Sequence, residues 1–487
     1  MAKNNTNYIE SKVFIIFFLA FFLSAHAFAF ANLTLSGSSL TVYVGGNVSE
    51  QIRLGNWARP FYERLRGGIS APWMIGLLSG SFLCASLLLI RELLPFRTPL
   101  RSIALIGCFT LHPAVLSVFV SHLNHADAVF LSMLFSTAGT WFLIQKKYGW
   151  MFATLLWSIA TSLSTDLWLF GPMLYLIVKR TNLCSLFETN NSCSKVSHKI
   201  VHHSILAFLF ALALYSAGLF VMIRRYNIGF PIHPDPAALL PGILLLPLSY
   251  LLPYSAYVPI NAILWIALAL ASLILAVREL ILVQVWKQIG VCLFLLLLLS
   301  GINALFVNSG TLNLTQPLLA AFFLSLLSEG KTLPQQLRRC IAGVLTVLFL
   351  GQIVYANQMH LMKNLEFQST VSLMTRVLDR VERTDGFIPG KTDVVLLGSP
   401  GDSQLAVPHK GFEHLSQFPG AQKHMAAFSE SDDAPFIWQV MGYPLNLVSD
   451  AERSQLKANP EVQKMPSFPA SGCIRWVNQK LVVKLSD

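Results

Sequence analysis

The segment NVSEQIRLGNWARP, residues 47–60, brings together side chains that could do chemistry. Glu50 could accept a proton from a hydroxyl group. Arg53 and Arg59 could hold a phosphate through paired, charge-assisted hydrogen bonds, and Trp57 could pack its ring on a sugar. A base, an anion site and an aromatic plate together suit transfer of a sugar from a phosphate-linked carrier.

The spacing of these residues has a second explanation. On one continuous helix Glu50, Arg53 and Trp57 would lie at positions i, i+3 and i+7 and share a face, and Pro60 would end the last turn. An amphipathic helix at the membrane interface, with a snorkelling ion pair and a tryptophan anchor, would show the same pattern. From spacing alone, the interfacial helix is the commoner explanation.

Further acids and histidines lie between later apolar segments. In HLNHAD, His122, His125 and Asp127 could ligate a metal, but no further ligand is evident nearby, and capping of the next helix is the commoner use of such residues. Asp127 could instead act as a second acid beside the first loop. Asp166 also has two interpretations: it could be a helix N-cap, or it could be a functional polar group at membrane depth.

A pair of arginines, Arg224 and Arg225, follows an apolar segment on the side that is otherwise poor in basic residues. Binding of a lipid phosphate would explain the pair, and so would snorkelling into the headgroup region. The two explanations carry equal weight.

Composition predicts the elements that must position these groups. Of 487 residues 54% are hydrophobic and 12% charged, which is typical of a polytopic membrane protein. Lys and Arg concentrate in short loops, as the positive-inside rule requires, and this location argues against a nucleic-acid partner for the net charge of +11. Seven cysteines without CxxC spacing support neither a zinc site nor a disulfide framework. Windows without charge occur at 13–31, 103–120, 205–223, 260–277, 291–307 and 341–355.

These windows and weaker ones predict about eleven transmembrane helices within residues 1–356, with the first external loop at 32–72. The apolar but proline-broken segment 237–254 is predicted to be re-entrant or interfacial. The first run ends in AHAFAFA, which resembles a signal-peptidase site, but its length favours a retained helix. Residues 357–487 are predicted to form a small external α/β domain, with a strand at 393–398 and a closing pair of strands.

Several motifs, in order, resemble the Gtr-II-type O-antigen glucosyltransferases of bacteria and their phages. They are E..R...W.RP in the first loop, GGISAPWMIGLLSG, LHPAV, HADAVFLSMLFSTAGTWFL and the terminal MPSFPASGCIRWVNQKLVVKLSD. The resemblance covers residues 45–180 and about the last 25 residues well, and the remainder only by hydropathy. It implies a membrane-embedded glycosyltransferase of the C superfamily in the bacterial inner membrane, with the C-terminal domain in the periplasm.

The resemblance implies an inverting transfer of glucose from undecaprenyl-phosphate-glucose to lipid-linked O-antigen, with a companion flippase and a glucose-loading enzyme as partners. It makes Glu50 the catalytic base. The family often has an Asp-Asp pair where this chain has Ser49-Glu50, which weakens the case for a divalent metal, and no other cofactor is implied. Cys473 and Lys484 match the family-like closing segment, where a structural role is the simpler reading.

In this interpretation the tail binds or orients the polysaccharide, with Trp438, Tyr443 and Trp476 as stacking faces or, equally, as core residues. Two other classes of function stay open. A lipid-linked-sugar flippase or other transporter would use discontinuous helices around a site at mid-depth. An O-antigen polymerase or ligase would differ by using a donor that carries a whole chain.

Overall fold

The computed structural model describes residues 2–32, 48–68, 70–94, 99–186, 194–228, 314–315, 317–318, 335–399, 434 and 436–486. The described part of the chain is mostly helical with one small sheet, and the chain divides into two compact units. The larger unit comprises Met1–Ala27, Val44–Leu116 and His125–Ala356, and the smaller comprises Phe28–Tyr43, Ser117–Asn124 and Asn357–Asp487.

The described helices before the tail domain are α1 Ala2–Ala31, α2 Val48–Arg53, α3 Arg59–Leu65, α4 Pro72–Leu93, α5 Pro99–Thr110, α6 Pro113–Ser121, α7 Ala126–Gln145, α8 Gly149–Leu163, α9 Phe170–Leu186 and α10 Ser194–Tyr226. Short 3-10 helices at Leu123–His125 and Thr165–Leu167 precede α7 and α9. The long helix α11, Gln335–Glu382, runs from the apolar region into the tail.

Among the described residues, six segments are long and apolar enough to cross a membrane. They are Ser11–Ala31, Pro72–Leu93, Arg101–Ser121, Leu123–Gln145, Ser204–Tyr226 and Arg339–Glu382. The predicted fifth and sixth spans form the helices α8 and α9 of 15 and 17 residues, shorter than the roughly 20 residues that a span needs. The predicted windows 260–277 and 291–307 and the segment 237–254 lie outside the described residues.

The first helix packs as a structural element of the larger unit. Phe14, Phe18 and Phe22 are almost fully buried along one side, whereas hydrophobic residues on its other side are exposed, as expected of a lipid-facing surface. A Cβ added to Gly80 of α4 would lie 2.8 Å from Phe22 Cε1, so α1 and α4 approach closely there. His26 of α1 donates from Nε2 to the carbonyl of Thr110 at 2.9 Å. These contacts hold α1 against α4 and the end of α5.

The predicted span at 103–120 is broken into α5 and α6. Pro113 lacks an N–H group and disfavours a helical conformation at the preceding residue, so α5 ends at Thr110 and a new helix begins at the proline. The His112 ring caps the new helix, since its Nδ1 accepts a hydrogen bond from Ala114 N at 3.0 Å. The break therefore places two buried histidines, His26 and His112, beside an interrupted span.

The tail contains a four-stranded sheet of order β2-β1-β4-β3, in which β1 pairs in parallel with β2 and β4, and β3 runs antiparallel to β4. The end of α11 packs on one face of the sheet, and two short helices pack on the other. Its elements are β1 Asp393–Leu397, a π-helix Phe436–Val440, β2 Asn446–Leu447, α12 Asp450–Lys457, α13 Pro460–Gln463, β3 Ile474–Val477 and β4 Lys480–Lys484.

Two sequence predictions for this sheet are confirmed. The strand predicted at 393–398 is present as β1, and the predicted closing pair is the hairpin of β3 and β4. Asn478 and Gln479 form its turn with φ of +50° and +64°, as a type I′ turn requires.

Candidate functional site

The first loop folds as two short helices rather than one. Gly55, at φ +83°, follows α2, and its N–H donates to the carbonyl of Ile52 while the N–H of Asn56 donates to that of Gln51. These two bonds form a Schellman motif, which ends a helix at a left-handed residue. Pro60 then lies in the first turn of α3, where a proline is well tolerated.

The prediction of one continuous face is therefore wrong. Glu50 and Arg53 belong to α2, whereas Trp57 lies in the turn between the two helices, and Pro60 helps to begin a helix instead of ending one. The side chain of Glu50 lies outside the described part of the chain. Gly55 was the signal that should have indicated the break.

Replacing Gly55 by Ala should destabilise the protein for two separable reasons. A left-handed conformation costs a residue with a Cβ about 1–2 kcal/mol. The new Cβ would also lie 2.6 Å from the Tyr215 hydroxyl oxygen and 2.9 Å from Thr165 Cγ2. The expected result is a lower unfolding temperature for the purified protein in detergent.

Gly67 provides the matched control for that measurement. It has φ +96°, and a Cβ there would have no other atom within 4 Å, so Gly67→Ala introduces the backbone strain without the steric clash. Equal losses in the two variants would contradict the close packing of Gly55 against α10.

The two helices of the loop are anchored to the ends of α8 and α10. Ile52 is fully buried against Tyr215 and Leu219 of α10, and the Tyr215 hydroxyl donates to the carbonyl of Gly55 at 3.1 Å. Asn56 accepts from the N–H of Thr165 at 2.9 Å. The loop is thus held at the helix ends that the sequence predicts to face outward.

Trp57 is packed into this anchor. A Cβ added to Gly218 of α10 would lie 2.5 Å from Trp57 Cζ2, so the indole ring lies directly on the helix backbone. Among the described residues no group accepts a hydrogen bond from its buried Nε1. In this location Trp57 has a packing role, and its ring is also a candidate for stacking on a sugar ring.

Asp127 forms the first of two buried polar clusters. It is fully buried in the first turn of α7, and its Oδ1 accepts from Arg66 Nη1 at 2.6 Å. The Tyr62 hydroxyl donates to its other oxygen at 2.9 Å. Both carboxylate oxygens are therefore engaged, and Asp127 ties the end of α3 to α7. It does not make the helix-capping hydrogen bond expected from the sequence.

Glu63 and His125 form the second cluster. The carboxylate of Glu63 and Nδ1 of His125 are hydrogen-bonded, and His125 Nε2 lies 3.3 Å from the amide nitrogen of Gln51. Arg59 donates to the side-chain oxygen of Gln51 at 3.1 Å and to the carbonyl of Leu163 at 2.9 Å. A continuous chain of hydrogen bonds therefore links α3, the 3-10 helix before α7, and α2, and it ends beside Glu50.

The charges around Glu63 fix its ionisation. Burial by itself raises the pKa of the Glu63 carboxyl, but the hydrogen bond from His125 and the charges of His125, Arg59 and Arg66 outweigh it, so the pKa lies below its ordinary value. Burial, followed by the negative charge of Asp127, raises the pKa of Tyr62. Tyr62 therefore remains a hydrogen-bond donor to Asp127, and Glu63 remains an anion.

Replacing Glu63 by Gln should change how stability depends on pH. Because its pKa is lowered by folding, Glu63 contributes stability that is present above the ordinary carboxyl pKa and is lost as the pH falls through the folded value. Glu63→Gln should therefore unfold more easily at neutral pH and lose less on acidification. Unfolding temperatures measured from neutral pH down to the carboxyl range test this. Parallel curves for the two proteins would contradict the assigned role.

The remaining predicted residues, Arg53, Asp166, Arg224 and Arg225, are exposed. Arg53 is exposed on α2, and the exposed Asp166, in the 3-10 helix before α9 rather than at its N-cap, interacts electrostatically with the buried Arg59. Arg224 and Arg225 are exposed in the last turn of α10, where cations are favoured, and Arg224 lies over the Phe220 ring. The guanidinium of Arg59 is engaged by protein groups, whereas the other three arginines lie at the surface of the unit.

Cys473 and Lys484 have structural surroundings in the tail. Cys473 is 2% exposed in the core beneath α11. Lys484 donates from Nζ to the carbonyls of Gln463 and Met465, at 3.2 and 2.9 Å, and so closes the end of α13 against β4. These contacts favour the structural reading of both residues.

Sequence reasoning did not single out the polar face of α3 as functional. Arg59, Tyr62, Glu63 and Arg66 follow one another at i, i+3, i+4 and i+7, the spacing of residues on one side of a helix. That pattern was available in the sequence once Gly55 had separated the two helices. Within the described ranges, no three His, Cys, Asp or Glu side chains come together as a metal site would require.

Comparison with known proteins adds no relative for this architecture. No family model, curated protein or solved structure matches the chain.

Proposed function

We propose that this protein is a polyprenyl-phosphate-sugar-dependent glycosyltransferase, which moves glucose to O-antigen repeat units at the outer face of the bacterial inner membrane. The observation that carries the proposal is a buried, charge-rich network at the common end of apolar helices. The chain is poor in charge, yet it gathers two carboxylates, two arginines and a histidine at one helix end. Burying ionisable groups costs free energy, and in membrane proteins such groups commonly mark a functional site.

The proposed reaction is a direct displacement. The acceptor hydroxyl oxygen attacks the anomeric carbon of the donor, the bond from that carbon to the phosphate oxygen breaks, and polyprenyl phosphate leaves. Glu50 takes the hydroxyl proton, as the family resemblance implies. Arg53, with Arg224 and Arg225, is proposed to stabilise the phosphate charge that develops.

The hydrogen-bonded chain from Glu63 to Gln51 is proposed to position the base rather than to react. Gln51 directly follows Glu50, and its amide is held from both sides by Arg59 and His125. A rigid support of this kind is what a base needs if it is to meet the acceptor hydroxyl in a reactive geometry.

A transporter remains a second candidate because span three is interrupted. The break between α5 and α6 places His26 and His112 inside the unit, and discontinuous helices with polar residues are a common feature of transporter sites. Against it, the acids and arginines gather at the helix ends and not at the break. A polymerase or ligase would use the same helix ends with a longer donor.

The deciding experiment is transfer of labelled glucose from synthetic polyprenyl-phosphate-glucose to lipid-linked O-antigen by the purified protein in nanodiscs. A covalent product that carries the label supports the proposal, and UDP-glucose offered in place of the carrier should give none. The transporter hypothesis would be established if the protein, reconstituted into sealed vesicles of the same lipids, moved the donor across the membrane without forming a new glycosidic bond. Transfer of whole chains in place of single sugars would establish the polymerase or ligase.

A further inference from the structure

Trp476 presents an exposed ring on the tail domain. It lies on the edge strand β3 opposite Leu481, whose side chain belongs to the core beneath α11, so Trp476 lies on the α11 side of the sheet. Its Nε1 donates to the carbonyl of Asp385 at 3.1 Å, yet the residue is 42% exposed. The ring also covers Gly386, where an added Cβ would lie 3.7 Å from Cζ2.

Trp438 has the same arrangement at the other edge. It lies in the π-helix whose Phe436 and Ile437 belong to the same core, and therefore also on the α11 side. Its Nε1 donates to the carbonyl of Leu445 at 2.7 Å, and the residue is 52% exposed. In both tryptophans the only polar atom is bonded to the backbone, so the exposed surface is the carbon ring.

One segment joins the two tryptophans. Residues 384–392 leave the end of α11, pass under Trp476 at Gly386, and reach Gly390, where an added Cβ would lie 3.9 Å from the carbonyl oxygen of Pro444. Ile388, between the two glycines, is 53% exposed. Trp438, Ile388 and Trp476 are thus exposed apolar side chains on this segment and near the two edges of the sheet, and together they are called the tryptophan face. The outer strands of the sheet beneath it are three interstrand spacings apart, about 14 Å.

The charges around this face select among ligands. Residues 379–393 contain four acids and three bases, and one of the bases, Arg383, is already paired with Asp379. An anionic lipid surface or a nucleic acid would require an excess of positive charge, which these residues do not provide. Fixed aromatic plates with nearby carboxylates suit a neutral ligand rich in hydroxyl groups, since the plates take its C–H faces and the carboxylates accept from its hydroxyls.

We propose that the tryptophan face binds a saccharide chain, with the two indole rings stacking on separate sugar rings of one glycan. That this glycan is the acceptor polysaccharide rests on the proposed transferase function. The binding itself does not, because it follows from the two rings that are fixed by backbone hydrogen bonds and from the lack of excess positive charge in this segment.

The test measures binding of full-length protein in nanodiscs to an immobilised panel of bacterial O-polysaccharides released from lipopolysaccharide by mild acid. Wild type should bind at least one of them, and W438A/W476A should weaken that binding at least tenfold. W438F/W476F keeps an aromatic plate at both sites and should retain most of the affinity. Trp73→Ala, at a tryptophan that is 66% exposed on α4, controls for loss of any surface tryptophan and should bind as wild type does.

Three results would overturn the proposal: no binding to any polysaccharide of the panel, unchanged binding by W438A/W476A, or tryptophan-dependent binding to phosphatidylglycerol vesicles in place of polysaccharide. The same panel separates this inference from the transferase. If wild type binds the glycan but transfers no glucose, the tryptophan-face proposal is supported and the transferase proposal is contradicted. If wild type transfers glucose but its glycan binding does not depend on either tryptophan, the transferase proposal is supported and the tryptophan-face proposal is contradicted.

Discussion

Replacing Glu50 by Gln should lower the rate of glucose transfer by about a hundredfold or more, the usual effect of losing a general base. Glutamine has nearly the same shape but cannot accept the acceptor proton at neutral pH. Its helix α2 stays anchored in the variant, because Gln51 and the fully buried Ile52 hold it in place. The measurement is the single-turnover rate with saturating donor, with the unfolding temperature recorded beside it.

Asp166→Asn is the matched comparison for that experiment. Asp166 is an exposed acid that interacts electrostatically with Arg59. Replacing it by Asn removes the negative charge with an equally small change in shape. It should retain most of the activity. Full activity in Glu50→Gln together with a large loss in Asp166→Asn would transfer the role of base to Asp166. Full activity in both would point to the pair of Glu63 and His125.

Replacing Asp127 by Ala should lower the free energy of unfolding by about 3–5 kcal/mol, the typical cost of leaving one partner of a buried ion pair alone. The side chain of Arg66 is only 3% exposed, and that of Asp127 is fully buried. Without the carboxylate, the guanidinium would stay buried with its main counter-charge gone, and Tyr62 would lose its acceptor. Equilibrium unfolding of the purified protein in detergent measures the change.

The exposed pair of Arg383 and Asp379 is the control. Its side chains are 77% and 52% exposed, so Asp379→Ala should cost less than about 1 kcal/mol. Adding Arg66→Ala to Asp127→Ala should recover part of the loss, because the uncompensated charge is then removed as well. A loss in Asp127→Ala no larger than in Asp379→Ala would mean that the pair is not shielded from water.

Elements whose signals are local could be predicted from the residue pattern. The windows at 13–31, 205–223 and 341–355 are helical because a long uncharged stretch can satisfy its backbone in lipid only as a helix. The hairpin of β3 and β4 follows from short-range turn chemistry. Even the break of α2 at Gly55 and the polar face of α3 were present in the residue pattern.

The pairing of the polar residues follows from helix packing and could not be predicted from local patterns. Glu63 is hydrogen-bonded to His125, 62 residues later in the sequence, and Arg66 to Asp127, 61 residues later. Both contacts depend on the packing of α3 beside the start of α7. Composition places each of these residues at a helix end but cannot pair them, because the pairing depends on which helices are neighbours and how they are rotated. The cost of a buried unpaired charge then makes the choice of partner strict. Separate polar residues thereby become two buried clusters, one of which extends to Gln51 beside Glu50.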